Sequence, residues 1–200
     1  EADSTWPLTD RLCRSPLMEN SQSADSVANV LNSVADSRIA RQVELNATLE
    51  SRYRGRDAAW WARRFAEAVD EKGHATGRPL RILGVTSIHT TFLQYSMRDC
   101  LWALEQLGHQ TRLIIEPVTH RSVDIGTALK TQLEFEPDLI LVLSRMRDEM
   151  GGLLHPSIPS VAWDQDALPW VLDPNRKPRL TWNDFFMGVT AFGARRRFGW

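Results

Sequence analysis

A histidine set among hydroxyls is the first feature of this chain with chemical potential: Ser87-Ile88-His89-Thr90-Thr91. A neutral imidazole accepts a proton near pH 7, so His89 suits a general base. The plainer alternative is a surface-loop histidine. Ser87, Thr90 and Thr91 can orient a polar ligand, and Thr90 or Thr91 can equally cap a following helix. A second stretch is Ser144-Arg145-Met146-Arg147-Asp148. Its guanidinium groups suit a carboxylate or phosphate, or ion pairs with Asp148 and Glu149 on a helix surface. The third stretch is Trp163-Asp164-Gln165-Asp166. Asp164 and Asp166 suit a divalent cation, ligand hydroxyls or the cap of a turn. Trp163 and Trp170 offer stacking faces, or simply fill a core.

These stretches matter only if the fold brings them together. Leu80 to Thr86 (LRILGVT) is a short, branched, apolar run that reads as a buried strand. The first stretch follows it directly and opens a helix. In that helix Leu93, Met97, Cys100, Leu104 and Leu107 recur on one face, and Gly108 closes it. Thr111 to Glu116 reads as a second strand, and Ser122 to Glu134 as a helix. Asp138 to Ser144 is a third strand, ending at the second stretch. Arg145 to Leu153 reads as a short helix. Ser160 to Trp163 is a fourth strand, ending at the third stretch. Phe185 to Thr190 reads as a fifth strand, with a helix begun over Gly193 to Phe198. Strands alternating with helices predict an α/β fold: a Rossmann-like, open parallel sheet with helices on both faces. In such sheets ligands bind beyond the carboxyl ends of the strands. All three stretches lie there.

Ahead of the sheet the spacing predicts a helical extension over residues 1–78, its first 20 or so residues irregular around Pro7 and Pro16. Val27, Val30, Leu31 and Val34 carry one helical stretch, and Val43, Leu45 and Leu49 a weaker second. A third runs from Asp57 to Glu71. Trp61, Phe65, Ala68 and Val69 form its apolar stripe, Arg63, Arg64 and Glu67 its polar face, and Gly73 its cap. Among the other histidines, His109 follows Gly108 in a turn and is expected to face solvent. Arg195-Arg196-Arg197 reads as a solvated helix face.

Composition narrows the class. The chain has 200 residues, net charge -1 and 42% hydrophobic content. It can bury one good core, not two full-sized ones. The charge balance gives no reason to expect a nucleic-acid partner. No apolar run is long enough to span a membrane. Two cysteines, Cys13 and Cys100, form neither a disulfide framework nor a zinc motif, which fits a cytoplasmic protein. The start lacks an initiator Met and a signal-peptide pattern, and the end follows a basic cluster, as expected of a piece of a longer chain. There is no GxGxxG after the first strand, no GxxxxGK[ST] and no GxSxG. The usual dinucleotide fingerprint, the P-loop and the hydrolase elbow are therefore missing. A receiver-type phosphoacceptor would need acids where Thr86, Ser87 and Ser144 stand.

Arg81 to Ile114, with its strand, open loop and long helix ending in Gly108-His109, resembles the opening unit of the N-terminal domain of GT-B-fold glycosyltransferases. "PDLILVLSR", "IPSVAWDQD" and "NDFFMGVTAFGARRRFGW" resemble later segments of bacterial members, the spore-maturation-type glycosyltransferase-like proteins among them. The resemblance covers about residues 81–200 and implies that residues 79–200 are the N-terminal, acceptor-binding half of a two-domain enzyme. A nucleotide-sugar donor would bind a second domain absent from this chain, so the chain alone would not turn over. His89 stands where many inverting members carry the catalytic base. Ser87, Thr90, Thr91, Ser144, Arg145, Trp163, Asp164 and Asp166 would hold a sugar acceptor, with no metal and no cofactor. The alternative is a non-catalytic α/β module that binds a small ligand or a protein. Sugar, acceptor, stereochemistry and oligomeric state stay open.

Overall fold

The computed structural model describes residues 21–87, 90–116, 123–165 and 179–188. The chain divides into two compact units, Glu1–Val43 and Glu44–Trp200. The first helix, α1 (Ser21–Tyr53), is continuous through both helical stretches expected from the sequence. Neither Gly nor Pro falls between residues 21 and 53, so nothing in the chain breaks it. Within the first unit its apolar residues Val27, Val30, Leu31, Val34, Ile39 and Val43 are exposed.

The second unit holds a five-stranded sheet of β1 (Arg81–Thr86), β2 (Gln110–Ile115), β3 (Leu139–Leu143), β4 (Ser160–Asp164) and β5 (Asp184–Gly188). Their order is β2-β1-β3-β4-β5, and every neighbouring pair is parallel. The fold is α/β and Rossmann-like. Helices α2 (Ala58–Ala68), α3 (Thr91–Gln106) and α4 (Ile125–Phe135) flank the sheet. No described helix is long and apolar enough to cross a membrane.

The period-2 alternation of the strands splits the core between two faces. Leu83, Val85, Ile140 and Val142 pack with Ala128 and Leu129 of α4. Ile82, Leu141 and Leu143 pack with Met97 and Leu101 of α3. Gly84 lets α3 approach closely: a Cβ there would lie 2.7 Å from Leu101 Cδ1 and 2.8 Å from Met97 Sδ. Thr90 and Asp124 cap α3 and α4, accepting from Leu93 N and Thr127 N. Glu136, left-handed at φ 46°, ends α4.

The helices ahead of β1 are part of this core. Leu49 and Tyr53 of α1 and Trp61 of α2 belong to the α4-side cluster, and Ala68 to the α3-side one. The compact unit that carries the sheet thus begins at Glu44, well before Pro79. Arg64 explains much of this. The spacing puts it on the polar face of α2, yet it is buried. Its Nε and Nη2 donate to Asp138 Oδ1 and Oδ2 at 3.2 and 2.7 Å, and its Nη1 and Nη2 donate to the carbonyls of Arg78 and Pro79. An acid from another part of the chain turns a nominal surface arginine inward.

Two further readings need correction. Gly73 does not cap α2, which ends at Ala68; Gly73 sits in the turn closed by the Val69–Ala75 bridge, where its N–H donates to Asp70 O. His109 does not face solvent. Its Nδ1 accepts from Leu80 N at 3.3 Å and its Nε2 donates to Gly73 O at 3.0 Å, which seats it under the start of β1.

Removing one partner of a buried ion pair strands the other, at a cost of about 3–5 kcal/mol. Arg64→Ala is expected to lose about that much in urea unfolding. Arg64→Lys should recover only part, because an ammonium cannot reproduce the two-pronged contact. A loss below about 1 kcal/mol would remove the pair from its place at the centre of the fold.

Candidate functional site

The strand order creates the site. From β1 the chain passes to β2 on one side, then returns to β3 on the other. Connections leaving β1 and β3 therefore diverge and leave a crevice beyond their carboxyl ends. A cavity of about 380 Å³ lies there. Val85, Leu93, Val123, Val142, Met150 and Leu153 give it apolar walls. Its polar groups are Thr86, Ser87, Thr90, Glu116, Ser144 and Arg145.

Three of these polar groups, Ser87, Glu116 and Arg145, form a connected rim. Thr86 pairs with Ile115 across β1 and β2, so the next residues, Ser87 and Glu116, come side by side. Ser87 Oγ donates to Glu116 Oε2 at 2.5 Å. Arg145 Nη1 approaches Glu116 Oε1 at 3.5 Å. Glu116 is largely buried, while Arg145 is part-exposed. Deeper in, Thr86 Oγ1 and Ser144 Oγ are buried with no hydrogen-bond partner among the described residues. Ser144 also has φ 52°, a left-handed conformation that an L-residue with a side chain adopts at a cost. Buried hydroxyls without described partners and a left-handed serine backbone meet in one cavity, which makes it the candidate site.

Four of the residues nominated from the sequence thus meet at one cavity: Ser87, Thr90, Ser144 and Arg145. Thr91 opens α3 on its exposed side. Trp163 is half-buried against the α3-side core, and Asp164 is buried at the end of β4; neither lines this cavity. His89, Asp166, Trp170 and Arg195 to Arg197 lie outside the described residues. Glu116 was missed. Its signal was a lone acid ending an apolar strand, TRLIIE, meaningful only once β2 lies beside β1.

The second arginine of Ser144-Arg145-Met146-Arg147 has a different role. Arg147 is buried in a 3-10 turn (Arg147–Met150), in place of the longer helix expected over Arg145 to Leu153. Its Nε donates to Asp184 Oδ1 at 2.8 Å, and its Nη1 and Nη2 donate to the carbonyls of His155 and Ile158, both at 2.6 Å. It therefore ties the loop after β3 to edge strand β5 and is unavailable to a ligand. Burial alone would raise the Asp184 carboxyl, but bonds from Thr181 and Ser160 and the Arg147 charge hold it below the ordinary value.

Next to this clamp, burial pushes the His155 imidazole below its usual range. Glu50 pulls the other way and Arg147 adds to the lowering. Ser157 N donates to His155 Nδ1 at 3.3 Å, as a neutral ring allows. The unfolded chain therefore takes up this proton first, near pH 6.5. The contribution of neutral His155 is full above that pH and is lost as pH falls below it. His155→Gln is expected to flatten the decline in urea stability between about pH 6.5 and 5. An unchanged slope would dismiss His155 as its source.

Ser144→Gly removes both the left-handed strain and a buried unpartnered hydroxyl. It is expected to raise stability by about 1 kcal/mol while weakening ligand binding at the crevice. A destabilised variant would show that Ser144 serves the fold instead.

No family model matches the chain, and neither a curated protein nor a solved structure matches it significantly.

Proposed function

We propose that this chain is the acceptor-binding half of a glycosyltransferase, moving a sugar from a nucleotide-sugar donor to an acceptor hydroxyl. The observation that supports it is the crevice beyond β1 and β3, with apolar walls and a rim of hydroxyl, carboxylate and guanidinium groups. A sugar has apolar C–H faces and hydroxyl edges, and such a mixed surface suits these walls. The segment resembling the opening unit of GT-B enzymes contributes β1 and the start of α3, which carry Thr86, Ser87 and Thr90. In this reading His89, between Ser87 and Thr90 in the chain, takes the proton of the acceptor hydroxyl. Ser87, Thr90 and Ser144 orient that acceptor. The donor binds a second domain, and the chain alone does not turn over.

The chain's 8 tryptophans permit a fluorescence titration with candidate glycan acceptors and with nucleotide sugars. Acceptors should bind and nucleotide sugars should not. In a chain that carries both halves, His89→Ala should leave acceptor binding intact and lower turnover by about 10²–10⁴-fold. Near-normal turnover would eliminate His89 as the base. Tight nucleotide-sugar binding to this chain would mean that it is the donor half. Binding of small ligands other than sugars would favour a non-catalytic module.

A further inference from the structure

Glu116 is the one carboxylate among the described residues lining the crevice, and both its backbone and its side chain are held by hydrogen bonds. Glu116 N donates to Thr86 O at 3.3 Å, which continues the β1–β2 ladder one step past the strand ends. Its side chain is then held from two sides, by the Ser87 hydroxyl on Oε2 and by the Arg145 guanidinium near Oε1. The result is a fixed, buried carboxylate at the carboxyl end of the second strand, beside the first and facing a cavity.

A carboxylate only accepts hydrogen bonds, and each of its oxygens can accept more than one. Its natural neutral complement is a pair of adjacent hydroxyls, each donating to one oxygen. In those doubly wound sheets that bind dinucleotides, an acid in this region accepts a ribose hydroxyl. The glycines that let a pyrophosphate approach the backbone are missing here, so hydroxyl recognition remains without the phosphate site. Charge points the same way. The Glu116 carboxylate offsets the Arg145 guanidinium, and no other basic side chain lines the cavity among the described residues. The Glu116 carboxylate itself repels an anion. Thr86 Oγ1 and Ser144 Oγ, buried without described partners, can each donate and accept toward further hydroxyls.

We infer that Glu116, positioned by Ser87 and Arg145, is the specificity-determining residue of the crevice, and that it selects a neutral ligand carrying a vicinal diol. This rests on the reading of the crevice as a site for a hydroxylated ligand, and it narrows that ligand to a class. Glu116 here binds and orients, with no covalent step.

The test is calorimetric titration of the whole chain with two matched pairs: methyl α-mannopyranoside against its 3-deoxy analogue, which keeps no two hydroxyls on adjacent carbons, and adenosine against 2′-deoxyadenosine. Losing a hydrogen bond to a charged group costs about 10–100-fold in affinity. At least one diol probe should bind about 10-fold or more tightly than its deoxy partner, and Glu116→Gln should reduce that preference to about 2-fold. Ser87→Ala keeps the carboxylate and its arginine but removes the hydroxyl that donates to Oε2, and should reduce the preference by a smaller factor. It serves as the readout if Glu116→Gln fails to fold. A preference that survives in Glu116→Gln overturns the inference and leaves the acceptor reading standing. A diol preference for adenosine with no binding of the glycoside upholds the inference and removes the acceptor reading. Absence of binding by both diols, or tighter binding of inorganic phosphate than of either, overturns the inference.

Discussion

The Asp138 carboxylate lies where three parts of the chain converge, and the rest of the structure is arranged around that point. It stands at the amino end of β3, accepts from Arg64 of α2, and also accepts from Arg81 N at the start of β1, 3.0 Å away. Arg64 in turn holds the carbonyls of Arg78 and Pro79, just ahead of Leu80 and β1. Burying two opposite charges is favourable only when nearly every remaining donor and acceptor is satisfied. Here four of the hydrogen bonds come from one guanidinium. This constraint sets the relative level of β1 and β3 and clamps α2 across their ends. Around the clamp, Arg81 and Arg52 both reach Glu136, and Tyr53 OH donates to Pro137 O at 2.9 Å. Burial raises the Tyr53 phenol well above its ordinary value, which keeps it a donor throughout the usual pH range.

The clamp and the crevice sit at opposite ends of the same strands. The amino ends are cross-linked by charge and hydrogen bonds, while the carboxyl ends keep two buried hydroxyls without partners among the described residues and a strained serine. This division follows from parallel strands. All amino ends face one way, so stabilising contacts can collect there without filling the space where a ligand binds. A second clamp, Arg147 with Asp184, secures the far side of the sheet: Ser160 Oγ donates to the same Asp184 oxygen at 2.7 Å and joins β4 to β5. The loop after β3 thus carries two arginines with separate duties. Arg147 fixes the loop to the sheet, and Arg145, two residues earlier, reaches the cavity rim.

Much of this was legible in the sequence. Strand-forming runs such as LRILGVT and DLILVLS are largely apolar on both faces, as buried parallel strands require, and each ends in a polar residue. The caps of α3 and α4 rest on local chemistry, a hydroxyl or carboxylate three residues before the amide it accepts from. Ser87, Thr90, Ser144 and Arg145 were legible for the same reason: a parallel α/β sheet assigns its carboxyl-end loops to ligand binding before any side chain is placed. Local readings failed where a distant partner outweighed local preference. Arg64 looked solvated until Asp138 met it, and His109 looked exposed until the Leu80 amide and Gly73 carbonyl enclosed it.

The sequence by itself therefore determined the alternation of strands and helices, the parallel sheet and the loops that flank its carboxyl edge, because these depend on periodicity and on short-range capping. The tertiary structure alone decided the strand order β2-β1-β3-β4-β5, and with it which loops share a cavity. Glu116 and Ser87 are 29 residues apart and touch because β2 lies beside β1. Trp163 and Asp164 follow the same rule of position in the chain, yet β4 stands beyond β3, away from the β1–β3 divergence. Order among parallel strands is set by which crossovers bury most apolar surface together and which charges must meet, as Arg64 meets Asp138 across 74 residues. Those are sums over pairs distant in the chain, and no local window of residues contains them.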